Sequence, residues 1–317
     1  FKYHRPRGFF GAGVEEPNAK LQVEFNGHSE PNVNATEMEL VEGLSATSQN
    51  CWPSVNFDIG AINNFLKMFF PAGFYYKTFM WPKSFWYKIY EPFIRKAAGL
   101  GVASIEKDKE RYEHKFEYCD LLVTGSGPSG LASAYAAAKN GAKVILAEDK
   151  PRFGGTLLTD DVSIDNLSGK DWAEKIITEL KSMPNVTVKN RSQVFGYYDH
   201  NMLVMFERVS DHLEKKSKFT PRQRLWYIRA KETILSTGSI ERPIVFGNND
   251  TPGIFLSAAA KEYMKVYGVL VGKKPLIFTN NDSAYETALE FKKNNVEPII
   301  LDTREEHSSE LIDEAKS

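Results

Sequence analysis

The stretch CDLLVTGSGPSGLASAYAAAKNGAKVILAEDK, residues 119–150, carries the clearest structural pattern in the chain. An apolar run at residues 121–123 leads into a glycine turn, and an alanine-rich segment of high helix propensity follows it. Asn140 and Gly141 end that segment, and a second apolar run occupies residues 144–146. The order strand, turn, helix, strand predicts a parallel βαβ unit.

The glycine turn at residues 125–130 reads GSGPSG and matches the G-x-G-x-x-G pattern at the start of a helix. In such a turn Gly125 permits the tight bend, Gly127 lets the backbone approach a pyrophosphate, and Gly130 lets the helix lie close to the strand. The diphosphate then binds N–H groups at the positive end of the helix. The turn therefore predicts a dinucleotide site, with a purely structural turn as the alternative.

Acidic side chains follow the second predicted strand: Glu148, which lies 23 positions after Gly125, and Asp149 beside it. A carboxylate at this place accepts hydrogen bonds from the ribose hydroxyls of the adenosine and repels a 2′-phosphate. The site is therefore predicted to prefer NAD or FAD over NADP. Lys150 and Arg152 follow at once, and their positive charges leave the exclusion of NADP open.

Two later turns support the same prediction. The stretch PRFGGTLL, residues 151–158, holds a double glycine that would let the backbone fold back beside the dinucleotide, where Thr156 offers a hydroxyl. The stretch STGSIERP, residues 236–243, is typical of the strand end where proteins with two dinucleotide-binding domains leave the first Rossmann domain. An ordinary strand exit is the alternative for the second stretch.

The rest of the C-terminal part predicts further α/β structure. Strand-like runs at residues 185–211 and 222–238, with a lysine-rich loop between them, predict a β-meander in place of one crossover helix. Residues 273–305 predict a second strand–helix–strand unit, but its turn TNNDSA has no glycine where a phosphate would come close. We therefore expect an α/β, Rossmann-like fold of the two-dinucleotide-binding-domain (FAD/NAD(P)-binding) type with one working dinucleotide site.

Composition excludes several functional classes. The 317 residues carry 40 basic and 41 acidic side chains, a net charge of −1, so no overall field attracts nucleic acid or an anionic membrane. The two cysteines, Cys51 and Cys119, have no partner at metal-ligand spacing, which argues against an iron–sulfur cluster, a zinc site or a dithiol reductase. No window of about 18 uncharged apolar residues predicts a membrane span. Sparse cysteines predict a reducing, cytoplasmic setting.

The N-terminal part reads as a small β-rich unit over residues 1–60, because KLQVEF (20–25) and ATEMELVEG (35–43) alternate polar and apolar positions. Residues 61–115 form a predicted linking segment, whose aromatic, proline-broken stretch at 65–93 is either an irregular segment that packs on its own domain or a surface that another subunit covers. The glycines and charges at 99–114 predict a connector. Residues 116–317 form the predicted dinucleotide-binding domain.

Several motifs together resemble the α subunits of heterotetrameric sarcosine oxidases, over nearly the whole 317 residues. The aromatic and NND motifs are much more specific than the glycine loop. The motifs are FKYHRPRGFFGAGVEEPNA (1–19), SQNCWPSVNFDIGAIN (48–63), FFPAGFYYKTFMWP (69–82), VTGSGPSGLASA (123–134), STGSIERPIVFGNNDTPGIF (236–255) and FTNNDSAYETAL (278–289).

The resemblance implies an internal segment of a longer subunit. Residues 1–60 would be part of a ferredoxin-like domain without a cluster, and residues 116–317 an NAD-binding domain with the start of a second Rossmann-like unit. A C-terminal domain that binds tetrahydrofolate would lie outside this sequence. In the family the α subunit holds NAD, the β subunit holds FAD and oxidises the amine, FMN lies between subunits, and γ and δ subunits complete the complex.

The resemblance also implies which residues contact NAD. In addition to Gly125, Gly127 and Gly130, they are Ser129, Glu148, Asp149, Lys150, Thr156 and Val194. The family more often shows Asp-Glu where this chain has Glu-Asp, so which carboxylate holds the ribose stays open. No residue is identified as the catalytic base.

The implied activity is oxidative demethylation of sarcosine to glycine, formaldehyde and hydrogen peroxide. Three alternatives remain open: a stand-alone pyridine-nucleotide oxidoreductase with FAD in the glycine turn, a subunit of a related amine or amino-acid dehydrogenase, and a non-catalytic scaffold with a structural dinucleotide. The amine pocket would lie on another chain, so the sequence does not identify the amine.

Overall fold

The computed structural model describes residues 8–25, 27–49, 51–54, 57–64, 79–305 and 308–316. Contacts divide the chain into two compact units: unit 1 is Phe1–Asp108 with Val245–Phe255, and unit 2 is Lys109–Ile244 with Leu256–Ser317. Residues 245–255 thus group with unit 1, although the sequence places them within the dinucleotide-binding domain. The functional division at residues 60 and 115 stays a prediction.

Unit 1 contains a three-stranded antiparallel sheet in the order β2-β1-β3. Its strands are β1 (Lys20–Phe25), β2 (His28–Asn34) and β3 (Ser45–Ser48). Strand β1 is the alternating stretch KLQVEF, so this strand prediction is confirmed.

The second alternating stretch, residues 35–43, was wrongly predicted to be extended; it forms turns. The N–H of Glu37 donates to the carbonyl of Asn34 at 3.1 Å, and the side chain of Leu40 is 93 % exposed. Alternation stabilises a strand only where its apolar face is covered, and Leu40 has no such cover. The more polar strand β3 pairs with β1 instead.

The aromatic stretch at 65–93 is described from residue 79 onward; residues 65–78 lie outside the described residues. A 3₁₀ turn (Lys83–Phe85) and a π-helical turn (Trp86–Tyr90) lead into helix α1 (Glu91–Ala98). This part is helical, whereas its prolines predict an irregular segment. Pro82 precedes the first turn, where a missing N–H breaks no helical hydrogen bond, and Pro92 is the second residue of α1, directly after the π-helical turn.

Unit 2 is built on the predicted βαβ unit, which is confirmed as β4 (Tyr112–Thr124), α2 (Pro128–Lys139) and β5 (Val144–Ala147). Strand β4 begins inside the stretch predicted as a connector. The next elements are β6 (Ser163–Ile164), β7 (Leu167–Ser168), α3 (Gly169–Ser182), β8 (Val186–Lys189), β9 (Ser192–Tyr198), β10 (Met202–Arg208) and β11 (Gln223–Leu235).

Six of these strands form one sheet in the order β8-β5-β4-β11-β10-β9. The first four are parallel to one another, and β10 runs antiparallel to both of its neighbours. The predicted β-meander, β9–β10–β11, is therefore confirmed. Alternate residues of β4 point to opposite faces, so Val123 packs with the helices α2 and α3 while Leu122 packs with the meander.

Helix α3 was not predicted. Ser168 caps its N-terminus by accepting a hydrogen bond from the N–H of Asp171 at 3.2 Å. Its buried side chains share one face at helical spacing: Trp172, Ala173, Ile176, Ile177 and Leu180.

The predicted second strand–helix–strand unit is also confirmed. It consists of the parallel strands β12 (Leu276–Thr279) and β13 (Ile299–Asp302) with helix α5 (Ser283–Lys293) between them. Helix α4 (Ser257–Tyr267) precedes it and helix α6 (Glu310–Lys316) follows it. Of the helices in the described part of the chain, none combines the length and apolar character that a bilayer crossing requires.

Candidate functional site

The glycine turn joins three elements at distances that leave no room for side chains. Gly125 has φ 98°, and a Cβ on it would lie 2.2 Å from the carbonyl oxygen of Ser236, at the end of β11. A Cβ on Gly130 would lie 1.9 Å from the carbonyl oxygen of Gly125. These two glycines therefore permit the close packing of β4, α2 and the exit from β11.

Gly127 has different surroundings. A Cβ on it would meet no atom within 4 Å. It is the N-cap residue of α2, and no side chain caps this helix end. Ser129 lies exposed in the first turn of the helix. Open space therefore adjoins the positive end of α2, which is the arrangement that a diphosphate needs.

The double glycine returns the chain to this turn. Gly154 and Gly155 have φ 126° and 54°, and a Cβ on Gly155 would lie 2.8 Å from the Cα atom of Gly127. A short 3₁₀ helix, Gly155–Leu158, follows and contains the exposed residue Thr156. The backbone after β5 thus passes directly beside the open position at Gly127.

Glu148 lies buried at the end of β5, with 6 % of its surface exposed. Its Oε2 accepts hydrogen bonds from the N–H of Ser126, at 2.9 Å, and from the hydroxyl of Ser126. Its Oε1 accepts one from the N–H of Lys150 at 3.1 Å. The carboxyl group is therefore fixed beside the glycine turn.

Burial raises the pKa of Glu148 to about 7, and the neighbouring carboxyl of Asp149 adds to this rise in pKa. The hydrogen bonds from Ser126 and Lys150 act in the opposite direction, because they stabilise the ionised form. The group thus changes its protonation state near neutral pH.

Ser126 was not among the predicted site residues, although it lies inside the glycine motif. It is completely buried, and its hydroxyl donates to Glu148 while accepting a hydrogen bond from the N–H of Gly154 at 3.1 Å. One hydroxyl thus connects the glycine turn, the acidic residue and the double glycine. The motif leaves this position variable, so the spacing alone gave no signal for its role.

The other predicted site residues lie around this centre. Asp149 is half-buried, and its carbonyl accepts a hydrogen bond from Nη2 of Arg208 at 2.9 Å. Val194 lies on β9, two residues after Ser192, whose N–H donates to the carbonyl of Glu148 at 2.8 Å. The nine predicted residues therefore lie in the turn after β4, in the first turn of α2, directly after β5, in the 3₁₀ helix of the double glycine and on β9.

The second strand–helix–strand unit has a different turn. Nη2 of Arg304 lies 2.7 Å from a carboxylate oxygen of Asp302 and 2.7 Å from one of Asp282. The hydroxyl of Tyr285 donates to Asp302 at 3.0 Å. Charged groups around this turn therefore bind one another, in contrast to the open space at Gly127.

Two parts of the chain match two different known families. Residues 120–204 match the family described as FAD dependent oxidoreductase, and residues 1–51 match the 2Fe-2S iron-sulfur cluster binding domain. Residues 1–51 contain one cysteine, Cys51. Ferredoxins hold such a cluster with four thiolates, so these residues do not fit a cluster, and the second match speaks for the fold alone.

A solved structure also supports the fold. The crystal structure of L-proline dehydrogenase from P. horikoshii superposes with a TM-score of 0.50 at 22 % identity, covering 66 % of this chain and 41 % of that one. At this level of identity the similarity shows a shared Rossmann-like fold and nothing about the reaction.

Curated relatives match almost the entire chain. The sarcosine oxidase subunit alpha of Rhizobium meliloti is 50 % identical over 305 residues, which are 96 % of this chain and 31 % of the relative. The subunit of the same name from Corynebacterium sp. (strain U-96) is 33 % identical over 310 residues, 96 % of this chain and 27 % of the relative. The chain thus spans less than a third of the length of these relatives. By sequence it belongs to the family of sarcosine oxidase α subunits, as the counterpart of one segment of them.

Proposed function

We propose that this chain is the dinucleotide-binding segment of an α subunit that takes part in the flavin-dependent oxidation of a secondary amine. The observation that carries the proposal is the open position at Gly127, at the start of α2 and beside the fixed carboxyl group of Glu148. The names of the relatives supply the reaction class. The reaction itself is proposed for the complete complex.

The proposed dinucleotide is NAD. The diphosphate would bind at the N-terminus of α2, and the carboxylates of Glu148 and Asp149 would accept hydrogen bonds from the adenosine ribose. NAD supplies hydride transfer when bound. The residues of this chain hold the adenosine half: Ser126 fixes the Glu148 carboxyl, and Gly155 keeps the backbone close to Gly127.

FAD at the same site is the second candidate, and the match of residues 120–204 to the FAD dependent oxidoreductase family favours it. FAD shares the adenosine diphosphate half of NAD, so the same residues would bind that half. This candidate corresponds to a stand-alone pyridine-nucleotide oxidoreductase that holds FAD at the glycine turn.

The complete reaction that we propose for the complex consumes sarcosine, dioxygen and water and yields glycine, formaldehyde and hydrogen peroxide. Two electrons and two protons leave the amine and its methyl carbon, and water hydrolyses the resulting imine. Dioxygen takes up both electrons and both protons to form hydrogen peroxide. FAD and FMN would be held with β, γ and δ subunits, and tetrahydrofolate on a domain outside this sequence. No residue of this chain is proposed as the catalytic base.

A surface of unit 1 fits a role in such a complex. Trp81 and Tyr87 are each 82 % exposed, and Phe93 is 66 % exposed. Large exposed aromatic side chains are typical of surfaces that a partner covers. We propose that partner subunits bind here.

Calorimetric titration of the chain with NAD, NADP and FAD tests the cofactor proposal. We expect NAD to bind more tightly than NADP, and Glu148→Ala to weaken NAD by about 1–3 kcal/mol, because ribose hydroxyls lose a charged partner. Equal affinities for NAD and NADP would contradict the NAD proposal. Tight binding of FAD without NAD binding would favour the second candidate.

A further inference from the structure

Two positively charged side chains follow Glu148 and bear on its selectivity. The backbone N–H of Lys150 donates to Oε1 of Glu148. The backbone of Lys150 therefore lies beside the carboxyl group that would hold the ribose. Its ammonium group, however, lies 2.6 and 2.8 Å from the two carboxylate oxygens of Glu262 on α4. The Glu262 side chain is 18 % exposed, so this ion pair is partly shielded from water.

Arg152 is held by the same helix. Its Nη1 donates to the carbonyl of Val266 at 2.8 Å, and its guanidinium lies 5.8 Å from the ring centre of Tyr267. Both cations that follow β5 therefore have partners in the last two turns of α4.

A 2′-phosphate on the adenosine ribose needs such a cation. In Rossmann domains that accept NADP, an arginine near the acidic position accommodates this phosphate. The backbone of Lys150 contacts the carboxyl group of Glu148, so its side chain begins beside the proposed position of the ribose. To bind the phosphate, its ammonium group would have to give up both oxygens of Glu262, and a partly buried carboxylate would lose its partner.

We infer that Glu262 is a specificity-determining residue, which holds Lys150 away from the ribose and so selects adenine dinucleotides without a 2′-phosphate. This inference rests on the proposed function, because it assumes that the adenosine ribose lies at Glu148. This mechanism differs from direct repulsion of the 2′-phosphate by Glu148 and Asp149, because Glu262 acts by keeping the positive charge of Lys150 away from the phosphate. The pairing joins residues 112 positions apart in sequence, so no local motif marks it.

The test compares the Kd values of NAD and NADP for the full chain by calorimetry. In Glu262→Gln the amide is close to the carboxylate in size but has no charge, so the Lys150 ammonium group loses its ion pair with this helix. We expect the ratio of the NADP Kd to the NAD Kd to fall about tenfold, as expected for one gained hydrogen bond to a charged group. Glu174→Gln is the matched control, because it removes an exposed carboxylate of α3 and changes the net charge equally.

Two further variants complete the test. In the double variant Glu262→Gln/Lys150→Met the gain in NADP affinity is lost, because the released ammonium group is absent. Glu262→Asp keeps the negative charge but moves it one methylene away from the Lys150 ammonium group, so we expect a smaller gain in NADP affinity. This variant serves as the test if Glu262→Gln does not fold. If NAD binds but neither Glu262→Gln nor Glu262→Asp changes the Kd ratio, the inference is overturned and the proposed function is not. The same holds if Glu174→Gln changes the ratio as much as Glu262→Gln does. Failure of the wild-type chain to bind either nucleotide would overturn the proposed function, and the inference with it.

Discussion

Gly127 and Gly130 differ in the space that surrounds them, and this difference separates binding from stability. Added side-chain atoms at Gly127 would enter open space, whereas a Cβ at Gly130 would overlap the carbonyl oxygen of Gly125. We expect Gly127→Val to fold and to lose dinucleotide binding, since the branched side chain would occupy the place of the pyrophosphate. Thermal unfolding and calorimetry with NAD and FAD on the same preparation measure both properties.

Gly130→Val is the companion variant. We expect it to lower the free energy of unfolding by about 3 kcal/mol or more, because helix α2 must move away from β4. Normal dinucleotide binding by both variants would show that the glycine turn is structural and that the cofactor lies elsewhere.

The protonation of Glu148 leads to a pH-dependent affinity. With the pKa of Glu148 raised to about 7, the folded protein carries a proton there that the unfolded chain has lost, so this group's contribution to stability falls as pH rises from about 5 to 7. Ribose hydroxyls donate to the ionised form, so a dinucleotide binds more tightly as that form becomes populated. We expect its affinity to rise up to about tenfold between pH 6 and pH 8.

Calorimetry at pH 6, 7 and 8 in buffers of different ionisation enthalpy measures this dependence and the released proton directly. Glu148→Gln does not titrate and should flatten the profile while binding more weakly. An identical slope in wild type and Glu148→Gln would assign the dependence to another group.

Among the secondary-structure elements, α4 forms ion pairs both with the segment after the double-glycine turn and with helix α5. Lys261 is buried, and its ammonium group lies 2.7 Å from Asp160, next to the double-glycine turn, and also contacts Glu286 on α5. Lys265 pairs with Asp161. One face of α4 thus links the segment after the cofactor turn with the second strand–helix–strand unit.

We expect Lys261→Met to lower the free energy of unfolding by about 1–3 kcal/mol, because two carboxylates lose a buried partner. Lys293→Met is the control, since Lys293 and its partner Asp161 are 56 % and 64 % exposed and such pairs contribute about 0–1 kcal/mol. Urea unfolding of both variants gives the comparison. Equal losses would mean that burial of Lys261 adds nothing to its ion pairs.

Sequence reasoning succeeded for elements whose pattern is local. The β4–α2–β5 unit and the β12–α5–β13 unit follow from apolar runs that flank turns. It failed at residues 35–43, where alternation without a covering surface forms turns. Helix α3 was missed, although Ser168 and Asp171 supply a capping pattern before an amphipathic stretch.

For the candidate site too, local spacing was predictable from the sequence and long-range contacts were not. The glycines and Glu148 lie in one 32-residue stretch with a known spacing. The contacts of Lys150 with Glu262 and of Asp160 with Lys261 join residues more than 100 positions apart, and only the folded chain brings them together.

For the whole molecule, we expect the chain alone to have no amine oxidase activity. The second turn lacks glycine, both cysteines are free and distant in sequence, and the described residues offer one open dinucleotide position. The measurement is peroxide formation from sarcosine by the purified chain with FAD, FMN and NAD. Turnover without a second subunit would move the catalytic site onto this chain.

The discontinuity of unit 1 sets an order of events during synthesis. Val245–Phe255 belongs to this unit by its contacts, and the N–H of Gly8 donates to the carbonyl of Asp250 at 2.9 Å. The ribosome makes Lys109–Ile244, including the whole six-stranded sheet, before this segment exists, which takes on the order of ten seconds. Of these two units, unit 1 is therefore completed only after most of unit 2 has been made, and a nascent chain that stops at Ile244 lacks a part of both.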